Sequence, residues 1–174
     1  MVGAKEVILT DLEYTVQLMI ENVKLNHETI FTCTNNVTCE RIECMECDWF
    51  SPPPLDQFGL ITSLKDAIGE PSYPEIILVA DCIWVEDLVI PLMDTLERYS
   101  HQGTRVIITY QKRGKNAHDI FLNRLHDLFR NVIAVDSSKF GLSKPDTIFL
   151  FECFNVDDEI SSTLVSNATK AASC

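Results

Sequence analysis

Glycine is scarce in this chain, 6 of 174 residues, where average usage of about 7% would place roughly 12. No G-x-G occurs anywhere, so a glycine-rich phosphate cradle is excluded as a motif of this sequence. Positive charge is short as well. Lys and Arg number 14 against 26 Asp and Glu, a formal net charge of -12. Such a surface repels a phosphate backbone and an anionic bilayer, which argues against general nucleic-acid binding and against membrane attachment. No apolar run approaches the roughly 20 residues that span a bilayer, and the first residues carry no apolar signal stretch. The expectation is a cytosolic protein, nuclear as well, whose seven cysteines are reduced. Two N-x-S/T sequons, at Asn36 and Asn167, mean little in that setting.

With 46% hydrophobic and 23% charged residues the chain has the composition of a globular protein with a real core. Five short apolar runs stand out, at 7–10, 76–80, 106–110, 132–135 and 148–151. Their near-continuous Val, Ile and Phe content reads as strands buried on both faces, as in a parallel sheet covered by helices. Between them lie helical spacings. Val16, Met19, Ile20 and Val23 form one stripe; Val85, Leu88, Val89, Leu92, Met93, Leu96 and Tyr99 form a second; Phe121, Leu125, Leu128 and Phe129 form a third. Pro91 is least disruptive if the second helix starts near Asp87. The segment 38–49 is ambiguous, although a strand is due there. Residues 51–74 hold five of the seven prolines and read as a loop with one short helix at 60–68. Residues 155–174 read as a polar, weakly ordered tail. The alternation of strand and helix specifies a doubly wound α/β sheet.

Two strands end alike. The run at 7–10 leads into Asp11, and the run at 76–80 leads into Asp81. Ligands of open α/β sheets bind at the carboxyl ends of the strands. An acid placed there can accept hydrogen bonds from a ribose diol or from an amine. It can equally cap the helix that follows, and spacing alone leaves both roles open. The cysteines at 33, 39, 44 and 47 have only one ligand-like spacing, between Cys44 and Cys47, so free structural thiols are preferred to a zinc site. His27, His101, His118 and His126 read as solvated residues of loops and helix surfaces. His118 and Lys115 do follow the third run near a strand's carboxyl end. No histidine shares a motif with a nucleophile, and the acidic runs read as solvated faces.

Several segments together resemble a known family. The stretch from Val7 to Tyr14 (VILTDLEY), followed by a helix ending at 21–26, resembles the second strand and next helix of the seven-β-strand methyltransferases. More narrowly it resembles methyltransferase family 16, the protein-lysine methyltransferases. Cys47-Asp48-Trp49 is similar to that family's Asp-Trp or Lys-Trp element. Leu78 to Asp87 (LVADCIWVED) resembles its Ala-Asp-x-x-Tyr signature, and Tyr110 to Asn116 (YQKRGKN) resembles the valosin-containing-protein lysine methyltransferase branch. Position 84 is Trp, where the family has Tyr or Phe.

The resemblance implies a Rossmann-like seven-β-strand sheet over 1–154, truncated at the N-terminus so that the first strand and helix are missing. It implies S-adenosyl-L-methionine as cofactor. Asp11 would take the ribose hydroxyls and Asp48 the adenine amino group, Trp49 would pack beside the adenine, and Ala80 would line the pocket. Asp81 and Trp84 would meet the target amine as catalytic residues. No metal is implied. The implied partner is a protein substrate offering a lysine, a chaperone or translation factor among them. A missing central strand would leave its two neighbours with unpaired edges and exposed apolar faces. The competing expectation is a non-catalytic methyltransferase-like remnant acting as a protein-interaction module.

Overall fold

The computed structural model describes residues 4–27, 39–59, 73–136 and 147–155. The chain divides into two compact units, Met1–Ser72 and Tyr73–Cys174. The expected helix at 60–68, and the expected tail beyond its first residue, Asn155, lie outside the described residues.

In the first unit, β1 (Glu6–Asp11) leads through α1 (Glu13–Leu25) to β2 (Arg41–Glu46). The two strands pair in parallel, from Glu6 opposite Arg41 to Asp11 opposite Glu46. The ambiguous segment is therefore a strand. Its β-branched content is low because β2 is only half-buried and its charged residues serve elsewhere. Arg41 bonds the Glu43 carboxylate from Nε at 2.8 Å and donates to the carbonyls of Gly59 (2.8 Å) and Phe58 (3.0 Å). It thus ties β2 to the 3-10 turn Leu55–Phe58, which ends in the left-handed conformation at Gly59 (φ 54°) that glycine adopts without steric cost. Val16, Met19, Ile20 and Val23 of α1 are all half-buried, as their spacing predicts, while Tyr14, Leu18 and Leu25 are exposed.

In the second unit, β3 (Ile76–Ala80), α2 (Glu86–Tyr99) and β4 (Arg105–Gln111) form a parallel β-α-β unit; α3 (Lys115–Leu128), β5 (Asn131–Ala134) and β6 (Ile148–Phe154) follow. The strand order is β3-β4-β6-β5, with β6 antiparallel to both neighbours. The Rossmann-like alternation of strand and helix holds, and the sheet is mixed rather than wholly parallel.

Helix α2 begins at Glu86, one residue before the expected start, and Pro91 lies in its second turn. The missing N–H leaves one helical bond unmade; the Pro91 carbonyl accepts from the Thr95 hydroxyl at 2.8 Å.

The core lies on one face of this sheet. Val106, Ile108 and Tyr110 of β4 and Phe151 and Cys153 of β6 point to that face, where Val89, Leu92, Met93 and Leu96 of α2 and Phe121 and Leu125 of α3 are buried. The expectation of strands buried on both faces is corrected here. Leu78 is 71% exposed and Ile76 53%, and β4 alternates strictly between exposed or half-buried and buried positions. A continuous apolar run shows that a strand can be buried on two sides, not that both sides are covered. Strands β1, β2, β3 and β5 are each paired on one side only among the described residues.

His118 also corrects its expectation, for it is 7% exposed. Its Nδ1 is hydrogen-bonded to the Tyr110 hydroxyl at 2.8 Å, and its ring lies 4.9 Å from that of Phe149. Position 118 falls three residues before Phe121 and seven before Leu125, so the stripe that named those two runs through His118 as well. Burial lowers its pKa first, with repulsion from Lys112 adding and Asp119 opposing.

The folded chain therefore keeps this imidazole neutral at a pH where the unfolded chain, with an ordinary pKa of about 6.5, already binds the proton. Stability is full above that value and falls as pH drops through the interval down to the folded pKa. Urea midpoints taken from roughly pH 7 down to pH 5 should decline, and His118→Gln should flatten the decline. An unchanged slope in the variant would assign the acid sensitivity to other groups.

Candidate functional site

Each expected site residue sits at or just beyond the carboxyl end of a strand. In the first unit, the Cys47 N–H donates to the Asp11 carbonyl at 2.8 Å. That bond carries the β1–β2 ladder one step past Glu46 and sets Asp11 beside the Cys47-Asp48-Trp49 segment. Asp11 is exposed, and its Oδ1 accepts the Leu12 N–H at 2.7 Å. Its Oδ2 has no hydrogen bond among the described residues. The N-cap of α1 is Leu12, with no side-chain cap, so Asp11 is not a capping residue. Asp48 Oδ1 accepts the Phe50 N–H at 3.0 Å, and its carbonyl accepts the Ser51 N–H at 3.0 Å. These two bonds form a tight turn that fixes the backbone on both sides of Trp49. Trp49 itself is half-buried.

In the second unit, Asp81 follows β3 with φ at 55°, the left-handed region, which Asp tolerates better than most residues. Its N–H donates to the Thr109 carbonyl at 2.7 Å. Its Oδ1 accepts the Gln111 N–H at 3.3 Å, and its Oδ2 is paired with Arg113. The N-cap of α2 is Val85, so Asp81 is no cap either. Ile83, 2% exposed, anchors the loop after Asp81 in the core, and Trp84 next to it is turned outward at 52%. Trp84 lines an open cavity of about 400 Å³ with Glu86, Gly114, Lys115, Asn116 and Ala117. Ala80 is exposed at the end of β3.

The structure thus brings Asp11, Asp48 and Trp49 together at one strand end of the first unit. It brings Ala80, Asp81 and Trp84 together at one strand end of the second. Sequence reasoning missed Arg113. The signal was available: in a parallel pair, the residues after the two strands meet, so an acid after β3 faces whatever follows β4. Lys115, noted only for its place after a strand, lines the Trp84 cavity.

Cys39, Cys44, Cys47, Cys82 and Cys153 are thiols joined in no disulfide. Burial raises the pKa of Cys44 and pushes that of Cys153 up to about 12, which leaves both as unreactive thiols. Among the described residues no three His, Cys, Asp or Glu side chains are grouped to hold a metal, and no helix is long and apolar enough to cross a membrane.

One solved structure similar to this chain is the citrinin polyketide synthase CMeT domain, at a TM-score of 0.47 and 8% identity. The match covers 88% of this chain and 47% of the other, so the chain spans about half the length of that relative. A sequence model described as lysine methyltransferase matches residues 1–128. With most of its length so matched, the chain belongs to the lysine methyltransferase family, methyltransferase family 16.

Proposed function

We propose that this chain is the methyl-transferring part of an S-adenosyl-L-methionine-dependent protein-lysine N-methyltransferase. The observation that carries the reading is the open carboxylate of Asp11 held beside Asp48 and Trp49 at the end of two parallel strands. The donor set suits the nucleoside end of that cofactor. A ribose diol offers two O–H donors, and Asp11 Oδ2 is an acceptor with nothing bound among the described residues. Adenine offers an amino donor and a flat π face, which Asp48 and Trp49 can meet. Ala80, small and exposed at the end of β3, is assigned to the cofactor by the family resemblance alone. When bound, the cofactor supplies a methyl group on a positively charged sulfur.

The chain's own task is to bring an amine into line with that methyl group and hold it there. Asp81 accepts N–H bonds from the arriving lysine ammonium and takes up its proton, since only the neutral amine has a lone pair to attack with. Trp84 offers a π face to the cation and to its alkyl stem. The protein partner is a lysine-bearing protein, a chaperone or translation factor in the first instance. The acidic surface, net -12, favours a basic segment around the lysine. We place the reaction in the cytoplasm and the nucleus, and the domain at 1–154.

Calorimetric titration of S-adenosyl-L-methionine tests the reading. Saturable binding is expected in the native chain, weakened about 10- to 100-fold in Asp11→Ala, as befits a lost hydrogen bond to a charged group. Absence of saturable binding, or equal affinity in the variant, would refute it and leave the non-catalytic interaction module standing.

A further inference from the structure

We propose that Arg113 is an internal occupant of the amine site, a guanidinium that the incoming lysine must displace from Asp81. The inference rests on the reading of Asp81 as the amine acceptor and adds to it a residue that sets selectivity. Asp81 is fixed by its backbone: its N–H is bonded to the Thr109 carbonyl at 2.7 Å, and its φ is 55°. The side chain is engaged at both oxygens, by the Gln111 N–H at 3.3 Å and by Arg113. The Arg113 contact neutralises the charge that would attract an ammonium. An amine therefore reaches Asp81 by exchange, one cation for another, rather than by entering a vacant anionic site.

Three features make the exchange feasible. The two side chains are about half exposed, 49% for Arg113 and 48% for Asp81, and ion pairs of that exposure are weak. Arg113 lies between the end of β4 and the extended Gly114 (φ -145°) that opens α3. A Cβ at Gly114 would meet nothing within 4 Å, so open space lies beside this backbone for a displaced side chain. Finally, Gly114 and Trp84 line the same cavity, which gives the amine's alkyl stem an aromatic wall.

The exchange discriminates. Arg113 meets Asp81 at Oδ2 alone, the other oxygen being held by the Gln111 N–H, but the chain tethers it beside its acceptor, whereas a free ammonium must give up its freedom to reach the same oxygen. An ammonium without further contacts loses to Arg113. One with a four-carbon stem recovers the difference by packing against Trp84. Arg113 is thus a positioning and selecting residue, and the class it selects is primary amines on long apolar stems.

The test titrates n-butylammonium chloride, the lysine head and stem alone, into the full chain at fixed low ionic strength. The Asp81 amide and the Trp84 indole N–H are followed by NMR. Arg113→Gln should tighten binding about two- to fivefold, the range of one exposed ion pair. Arg113→Lys, which restores the charge, should bind as the native chain does. Lys112→Gln removes the same charge one residue away and should leave the affinity unchanged; methylammonium should bind more weakly than n-butylammonium throughout. Equal affinity in the native chain and Arg113→Gln, with binding lost in Asp81→Asn, would overturn the exchange and leave the amine reading intact. Equal tightening by Lys112→Gln would overturn it as a general charge effect. No binding to any form would overturn both.

Discussion

Phe121→Ala is expected to cost about 3–5 kcal/mol, against a total stability of about 5–15 kcal/mol for a domain of ordinary size. Phe121 is fully buried. Its ring meets Tyr110 edge-on at 5.2 Å and Phe151 at 6.3 Å, geometries in which the positive edge of one ring faces the negative face of the other. Tyr110 in turn stacks on Phe149 at 5.5 Å and carries the hydrogen bond to His118. Removing Phe121 therefore opens a cavity beside a buried, mutually hydrogen-bonded polar pair, and the loss exceeds the transfer energy of one ring. Urea unfolding followed at Trp84 should show the midpoint fall with the slope retained. Leu18→Ala, at a position 59% exposed on α1, should stay within about 0.5 kcal/mol of the native chain. A loss below about 1 kcal/mol for Phe121→Ala, the size of an ordinary substitution, would show that the aromatic cluster is not the core of its unit.

That cluster also shows where sequence reading succeeds and where it stops. The run 76–80 coincides with β3, and the stripe from Val85 to Tyr99 follows α2, buried from Val89 onward and half-buried at the N-cap Val85 and at Leu88. Both depend on local periodicity, which burial imposes on every turn or pair of residues. Strand β2 was ambiguous because a half-buried strand held partly by Arg41 needs few β-branched residues. His118 was misplaced because residue type was weighed above position: an imidazole with a partner for Nδ1 fits a core stripe as well as a methionine does. The exposed face at Leu78 was illegible because coverage of a sheet is decided by helices distant in sequence. The site divides in the same way. Asp11 and Asp81 were legible as acids after strands. That neither caps its helix required the backbone, where Leu12 and Val85 hold the cap positions. The pairing of Asp81 with Arg113 joins residues 32 apart, and only the register of β3 on β4 brings them together.

Asp81→Asn is expected to lower kcat/KM for lysine methylation about 10- to 100-fold, the loss of one charge-assisted hydrogen bond of about 1.5–3 kcal/mol. The substitution isolates chemistry from folding. Asn, like Asp, tolerates the left-handed region, so the φ of 55° at this position imposes no new strain. The amide oxygen can still accept the Gln111 N–H. What disappears is the negative charge, and with it the Arg113 pair, which at half exposure contributes at most about 1 kcal/mol. The melting temperature should move by only a few degrees. Affinity for S-adenosyl-L-methionine should stay within about twofold, because a change of that size is under about 0.5 kcal/mol and the proposed nucleoside contacts lie at Asp11, Asp48 and Trp49. The assay follows transfer of a labelled methyl group to purified chaperones and translation factors. A neutral amide can neither attract the ammonium nor take its proton, so the defect should shrink as pH rises toward the lysine pKa of about 10.4 and more of the substrate arrives already neutral. A defect constant across pH would assign Asp81 to binding alone. An unimpaired variant would remove Asp81 from the reaction.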